Sequence, residues 1–288
     1  MIKKPNTFSI EDAVREGAQR LREGGVAESR RDAGSLLAHV LDRDRTFVIA
    51  HAGDELDGEQ FEVFQSLIKR RAAGEPLQYI TGHQEFFKLD FEVTPAVLIP
   101  RPETELIVEA ALELLSDDLD PRIADIGTGS GCLAISLLHE RATARAVATD
   151  VSLAALQIAR RNATRHGVAD RLELIGSDGL TAVGARGFFD LIVSNPPYVS
   201  EDEMKALQRE VNYEPRAALA AGPDGLSIIR RLLDETRSFL RPRGHFVFEI
   251  GFGQSHAVRQ LIDQRVWELI EIRADLQKIP RVFMLQGK

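Results

Sequence analysis

Apolar positions along this chain follow two different periods, and the period changes near residue 83. In "SIEDAVREGAQRLREGG" the pattern predicts a helix opening at an N-cap, Ser9, and closing at Gly24-Gly25. "ESRRDAGSLLAHVLDRD" places Ala33, Leu36, Leu37, Val40 and Leu41 at helical spacing. "DGEQFEVFQSLIKRRAAGEP" repeats it with Phe61, Phe64, Leu67 and Ile68. A small helical bundle is expected to about residue 80. In "HQEFFKLDFEVTPAVLIP" the period becomes two: Phe87, Leu89, Phe91 and Val93 alternate with Lys88, Asp90 and Glu92. That predicts a β-hairpin over residues 81–102, limited by Pro95 and Pro100.

From residue 103 onward helices and strands alternate. "ETELIVEAALELL", "GCLAISLLHE", "SLAALQIARRNATRHG" and "LSIIRRLLDETRSFL" read as helices. Between them "RIADIG", "ARAVATD", "RLELIGSD", "FFDLIVSN" and "GHFVFEIG" read as strands. The tail "VWELIEIRADLQKIPRVFMLQ" fits two more strands. Such alternation implies a mostly parallel sheet with helices on both faces. Ligands of such folds sit outside the carboxyl ends of the strands, where strand order reverses. No internal repeat or low-complexity stretch interrupts the pattern.

Composition narrows the function class. With 288 residues, 44% hydrophobic and 28% charged, the chain can build a sizeable core. A net charge of −8 argues against a protein that coats nucleic acid, because phosphate binding needs clustered Lys and Arg. The single cysteine, Cys132, rules out a disulfide framework and reads as a small core residue. The seven histidines are scattered without metal-ligand spacing, so no metal site is expected. No apolar run is long enough for a membrane span, and "MIKKPNTFSIEDAVREG" lacks a secretory core, which points to the cytoplasm. The Arg-Arg pairs at 30–31, 70–71, 160–161 and 230–231 read as solvated helix faces.

The chemistry concentrates at strand ends. "ADIGTGSGCLAIS" carries Gly127, Gly129 and Gly131 between a strand and a helix. Glycines there allow a tight turn and let backbone N–H groups approach a ligand. The spacing is G-x-G-x-G, unlike the dinucleotide fingerprint G-x-G-x-x-G, and suits a ligand without a pyrophosphate. The next strand ends at Asp150, whose carboxylate can accept both hydroxyls of a ribose. Such charge-assisted bonds contribute ~1.5–3 kcal/mol each. The third strand runs out in "GSDGL", which puts Asp178 where an adenine amine could donate to it. The fourth ends in "IVSNPPYVS". Proline cannot continue a central strand, so Pro196-Pro197 gives a rigid exit and offers carbonyl oxygens. Asn195 adds a side-chain carbonyl and Tyr198 a flat face. Together they suit a planar –NH2 on an sp² carbon, its two N–H bonds directed at Asn195 and the Pro196 carbonyl. Asn-Pro-Pro-Tyr resembles the motif both of amino-methyltransferases acting on adenine in nucleic acid and of those acting on protein glutamine. A non-catalytic adaptor using the fold only for binding is the third reading.

The order of these motifs resembles the class I S-adenosylmethionine-dependent methyltransferases, with "DIGTGSG" as their first motif and Asp150 as their second-strand acid. More closely, "EPLQYITGHQEFFKLDFEVTPAVLIPRPETELIVE", with its "PRPETE" signature, resembles the protein-(glutamine-N5) methyltransferases of peptide release factors, the PrmC/HemK family. "RDAGSLLAHVL", "ADIGTGSG", "SNPPYV" and "EPRAALAAGPDGL" extend the resemblance over nearly the whole chain. It implies an α/β fold: a Rossmann-like methyltransferase domain at 103–288 with a mostly parallel seven-stranded sheet, preceded by an all-α domain at 1–80 and the hairpin linker. It implies methyl transfer from S-adenosylmethionine to the glutamine of the Gly-Gly-Gln motif in class 1 release factors. The products would be N5-methylglutamine and S-adenosylhomocysteine, and the N-terminal helices would help dock the release factor. Gly127, Thr128, Gly129, Ser130, Gly131, Asp150, Asp178, Gly179 and Asn195 would hold the cofactor, with Arg101 and Thr104 near its methionine end. Asn195, Pro196, Pro197 and Tyr198 would hold the glutamine. Gly179 departs from relatives, which can carry an aromatic there that packs on adenine. A monomer with no stable nucleic-acid partner and no membrane contact is expected. The alternative is adenine-N6 methylation of DNA or RNA.

Overall fold

A computed structural model describes residues 8–115, 119–184 and 186–288; the first seven residues of the expected helical segment lie outside it. The chain forms two compact units, one of residues 8–82 with Gln208–Tyr213, the other of His83–Leu207 and Glu214–Lys288.

In the first unit, helices α1 (Ile10–Glu23), α2 (Ser29–Leu41) and α4 (Gly58–Ala72) enclose Leu21, Leu36, Leu37, Phe64 and Ile68. Ser9 caps α1 by accepting from the Asp12 amide at 3.1 Å. Asp57 and Gln60 form a capping box on α4. Gly17 lets α1 approach α4, since a Cβ there would lie 2.7 Å from the Phe64 ring. Two helices were not expected: α3 (Arg45–Ala50) and α5 (Leu77–Thr81), six and five residues long. Neither is long enough to display a period. Two-residue strands β1 (Phe8–Ser9) and β2 (Glu55–Leu56) pair between the helices.

Arg71 corrects the reading of the Arg-Arg pairs as solvated. It is buried, with Nε 2.8 Å from Asp32 and Nη1 3.2 Å from Glu210. Removing either acid would leave a buried charge. Arg209 donates to the Gly24 and Ala72 carbonyls, and the Tyr213 hydroxyl to that of Ala73. The segment 208–213 thus belongs to the helical unit although it lies in sequence within the second unit.

The second unit opens with a hairpin, β3 (His83–Phe86) and β4 (Leu89–Glu92). Phe87 and Lys88 occupy the turn with φ 48° and 63°. Phe87 is therefore a turn residue, not the strand residue its alternation suggested, and Phe86 and Phe91 supply the buried aromatics. Then come α6 (Glu105–Leu114), β5 (Arg122–Ile126), α7 (Cys132–Glu140), β6 (Arg145–Asp150), α8 (Leu153–Arg165), β7 (Leu172–Gly176), β8 (Phe189–Ser194), α9 (Ser227–Glu235) and β9 (Leu240–Glu249). The chain ends with α10 (Ser255–Leu261), which was not expected, β10 (Trp267–Ala274) and β11 (Pro280–Gly287).

The sheet order is β10-β11-β9-β8-β5-β6-β7. β5 to β9 run parallel, and β11 pairs antiparallel with β9 and β10. Both faces are covered, so β8 is buried at every residue. Its Leu191 and Val193 enter the core that contains residues of α6 and α7, while Ile192 enters the one that contains residues of α9 and α10. The chain starts at β5, winds outward through β6 and β7, and returns to β8. The reversal between β5 and β8 opens a crevice at their carboxyl ends. Ile126 pairs with Ser194 there, and the Ser194 hydroxyl donates to the Ile126 carbonyl at 2.8 Å. Gly127 and Asn195 leave the sheet side by side.

Candidate active site

A cavity of about 360 Å³ fills this crevice, within the range of small-molecule sites (~300–1,000 Å³). Thr104, Gly127, Thr128, Gly129, Ser130, Asp150, Asp178, Gly179, Asn195, Pro196 and Pro197 line it. Gly131, Arg101 and Tyr198 stand just outside the lining.

The glycine loop is tied to the sheet by backbone bonds. The amides of Gly127 and Thr128 both donate to the Thr149 carbonyl at 2.9 Å, and that of Gly131 to Thr128 at 2.8 Å. All three glycines have positive φ, +74°, +56° and +84°, a region costly to side chains. Their surroundings differ. A Cβ on Gly127 or Gly129 would meet nothing within 4 Å, so their backbone is bare toward a ligand. On Gly131 it would fall 2.7 Å from Ile135 and 3.2 Å from Ala159, so this glycine serves helix packing.

Asp150 accepts the Gly129 amide on one carboxylate oxygen, at 2.9 Å, and the Ser152 amide on the other, at 2.8 Å. Each oxygen keeps a lone pair for a hydroxyl. Beneath the loop Asp125 is fully buried. One oxygen accepts from the Thr128 hydroxyl (2.7 Å) and the Ala134 amide (3.3 Å); the other has no partner. Burial pushes its pKa up to about 7. Burial likewise pushes the Cys132 thiol up to about 12, which makes it a poor nucleophile.

Beyond β7, Asp178 is gripped by Arg231 of α9 through two bonds of 2.7 Å, which hold its carboxyl below the ordinary value. Its neighbour Gly179 has φ +60°, and a Cβ there would sit 2.7 Å from the Glu235 carboxylate. Glu235 in turn accepts the Leu180 amide at 2.7 Å. The positive φ, and the carboxylate beside it, both disfavour a side chain at 179.

On the other side of the crevice the Asn195 side-chain nitrogen donates to the Thr104 hydroxyl at 3.0 Å. Thr104 donates to the buried Glu249 at 2.6 Å. Burial, with the Glu249 carboxylate nearby, raises the Tyr198 phenol above its ordinary value. Arg101 points elsewhere: its guanidinium pairs with the buried Glu214, which also accepts the Ile99 amide at 3.3 Å. The "PRPETE" and "EPR" segments are thereby joined.

Among the described residues no cluster of His, Cys, Asp and Glu could hold a metal ion, and no helix is long and apolar enough to cross a membrane.

Two family models match the chain, "PrmC N-terminal domain" over residues 12–82 and "Methyltransferase small domain" over 104–222. The release factor glutamine methyltransferase of Moorella thermoacetica is 46% identical over 88% of this chain and 89% of its own length. That of Koribacter versatilis is 40% identical over 96% and 97%. The chain belongs to the release factor glutamine methyltransferase family. The hMettl16 catalytic domain, solved in complex with the MAT2A 3′UTR hairpin 1, shares the fold at 14% identity (TM-score 0.58, 87% of this chain and 90% of that one).

For this family member, sequence reading overlooked Arg231, the apolar lining from Val97, Ile228 and Leu232, and Glu249. Only Glu249 left a signal, an acid closing the apolar run "FVFE" at the carboxyl end of a parallel strand.

Proposed function

We propose that this protein transfers a methyl group from S-adenosylmethionine to the side-chain N5 of the glutamine in the Gly-Gly-Gln motif of class 1 peptide release factors. The observation that carries the reading is the orientation of Asn195. The single Thr104 proton is committed to Glu249, so Thr104 can only accept from Asn195. The Asn195 carbonyl is then left for a substrate N–H.

The residues present fit the cofactor. The bare backbone of Gly127 and Gly129 takes the methionine part, Asp150 the ribose hydroxyls, and Asp178 with the Gly179 backbone the adenine edge, between apolar Ile228 and Leu232. When bound, S-adenosylmethionine supplies an electrophilic methyl on a sulfonium that leaves as S-adenosylhomocysteine. The chain's own task is to ready a poor nucleophile. An amide nitrogen shares its lone pair with the carbonyl, a conjugation reflected in a rotation barrier of ~18–20 kcal/mol. Asn195 and the Pro196 carbonyl accept the two N–H bonds in a direction that favours a pyramidal nitrogen, which frees the lone pair. Tyr198 holds the plane, and proximity contributes much of the rate. No strong base is needed, since the N–H turns acidic only as the methyl arrives and the proton can leave to water.

We read the protein as a cytoplasmic monomer without a stable nucleic-acid partner. Its substrate is a translation factor, and a net charge of −8 disfavours phosphate backbones. Methyl transfer from labelled S-adenosylmethionine tests the reading, with a release factor, its Gln→Ala variant and duplex DNA offered in parallel. Label on the release factor alone, lost in the variant, is expected. Label on DNA would mean that Asn195 to Tyr198 hold an adenine instead.

A further inference from the structure

Glu249 sits at the carboxyl end of β9, 2% exposed, and is not itself part of the cavity lining. A buried carboxylate is costly unless its lone pairs are met. Here the donor that meets it leads to the substrate grip. The Thr104 hydroxyl donates at 2.6 Å, and Thr104 in turn accepts from Asn195 at 3.0 Å. Asn195, the first residue of Asn-Pro-Pro-Tyr, is thus anchored to this carboxylate through Thr104.

We propose that Glu249 is a positioning residue for methyl transfer, whose ionised carboxylate fixes the Asn195 amide, through Thr104, with its carbonyl turned to the substrate nitrogen. The inference rests on the function proposed above and deepens it.

The direction of each bond decides the outcome. An ionised Glu249 has no proton, so Thr104 must donate to it and must accept from Asn195. A protonated Glu249 adds a donor. Its O–H can give to the Thr104 oxygen, the Thr104 proton is then free to turn to the Asn195 carbonyl, and the amide rotates to present –NH2 to an –NH2. That contact is repulsive and cannot hold the glutamine. Burial pushes the Glu249 pKa up to about 7, against the hydrogen bond from Thr104, so both forms lie within reach of neutral pH. The groups facing it are Tyr198 after β8, Arg281 of β11, Glu103 of the turn before α6, and Cys132 of α7. Arg281 is the cation among them and favours the ionised form.

Five proteins test this: the wild type, the variants Glu249→Gln, Thr104→Val and Thr104→Ser, and the double variant of the first two substitutions. Methyl transfer to a release factor is followed from pH 5.5 to 9 (roughly the range in which such a carboxyl titrates). The wild type should lose kcat below about pH 7 as Glu249 takes up its proton. Glu249→Gln should lower kcat about tenfold or more and abolish that acid limb, because a neutral amide holds Thr104 more weakly than a carboxylate. Thr104→Val should cost about 10²-fold, and Thr104→Ser should recover much of it. Combining Glu249→Gln with Thr104→Val should lower kcat little further, as expected of groups acting in series. Affinity of Glu249→Gln for S-adenosylhomocysteine, by calorimetry, should stay within about threefold of the wild type.

Wild-type kcat in Glu249→Gln with its acid limb intact would overturn the inference. So would equal losses in Thr104→Ser and Thr104→Val, which decide the matter should Glu249→Gln not fold. Failure of the wild type itself to label the release factor would overturn the function on which the inference rests, a result separable from both.

Discussion

The side-chain amide of Asn195 donates to the Thr104 hydroxyl across 3.0 Å, although 91 positions separate them in the chain. Thr104 is fully committed on its other side to Glu249. The amide is therefore oriented by the fold before any substrate arrives, and orientation in advance is what makes an acceptor effective in a transition state. Replacing Asn195 with Ala should lower single-turnover methyl transfer about 10²–10³-fold. Calorimetric affinity for S-adenosylhomocysteine should change only a few fold. An equal loss of both would assign Asn195 to the architecture of the cofactor site instead.

Asp150 should behave in the opposite way. Its oxygens hold the Gly129 and Ser152 amides, and in the proposed site they also receive the ribose. Loss of a charged acceptor leaves both amides and both hydroxyls short of a partner. Asp150→Ala should weaken S-adenosylhomocysteine about 10²-fold by calorimetry, with kcat at saturating cofactor far less affected. Unchanged affinity would remove Asp150 from the ribose site.

The loop glycines separate packing from binding. Gly131→Ala forces a side chain into φ +84° and into Ile135, and should cost ~2–4 kcal/mol in urea unfolding. Gly129→Ala also strains a positive φ, but meets open space, and should cost only ~1 kcal/mol. Its larger effect should be on cofactor affinity, because the methyl intrudes on the bare face. Equal unfolding midpoints for the two variants would contradict this division.

Asp125 makes a prediction in pH. Its pKa is about 7 in the folded protein, against an ordinary value of 3.8. The folded state holds the proton more tightly than the unfolded chain. The contribution of this group is thus fully present below about pH 4, falls as the pH rises toward 7, and is flat beyond. In Asp125→Asn one atom can keep the bonds from Thr128 and Ala134, and the amide nitrogen replaces an oxygen that has no partner. The variant should therefore gain stability relative to wild type between about pH 4 and 7, by an amount of order 1–4 kcal/mol. Parallel stability–pH curves for the two proteins would show that Asp125 is ionised at no cost.

Much of the cofactor half of the site is legible in the chain because it is local. Gly127 to Gly131, Asp150 and Asp178 each follow a strand that announces itself by an apolar run, and a parallel sheet places every such end on one rim. The departures have local causes too. Phe87 was read into a strand because alternation does not mark where a hairpin turns. The helices α3 and α5 are shorter than two turns and show no period. Arg71 looked like one of several solvated pairs, since nothing near it in sequence shows that Asp32 lies against it.

The sequence by itself determined the alternation of strands and helices, the acids and glycines at strand ends, and the Asn195-to-Tyr198 exit, all of which depend on residues within a few positions of one another. Only the tertiary structure decided what those side chains do to each other. The Glu235 carboxylate lies where a Cβ at 179 would fall, Arg231 grips Asp178, and Glu249 reaches Asn195 through Thr104. These partners are 53 to 145 positions apart. A hydrogen bond depends on distances of a few ångströms and on which atom gives the proton, and neither is written in the order of the residues.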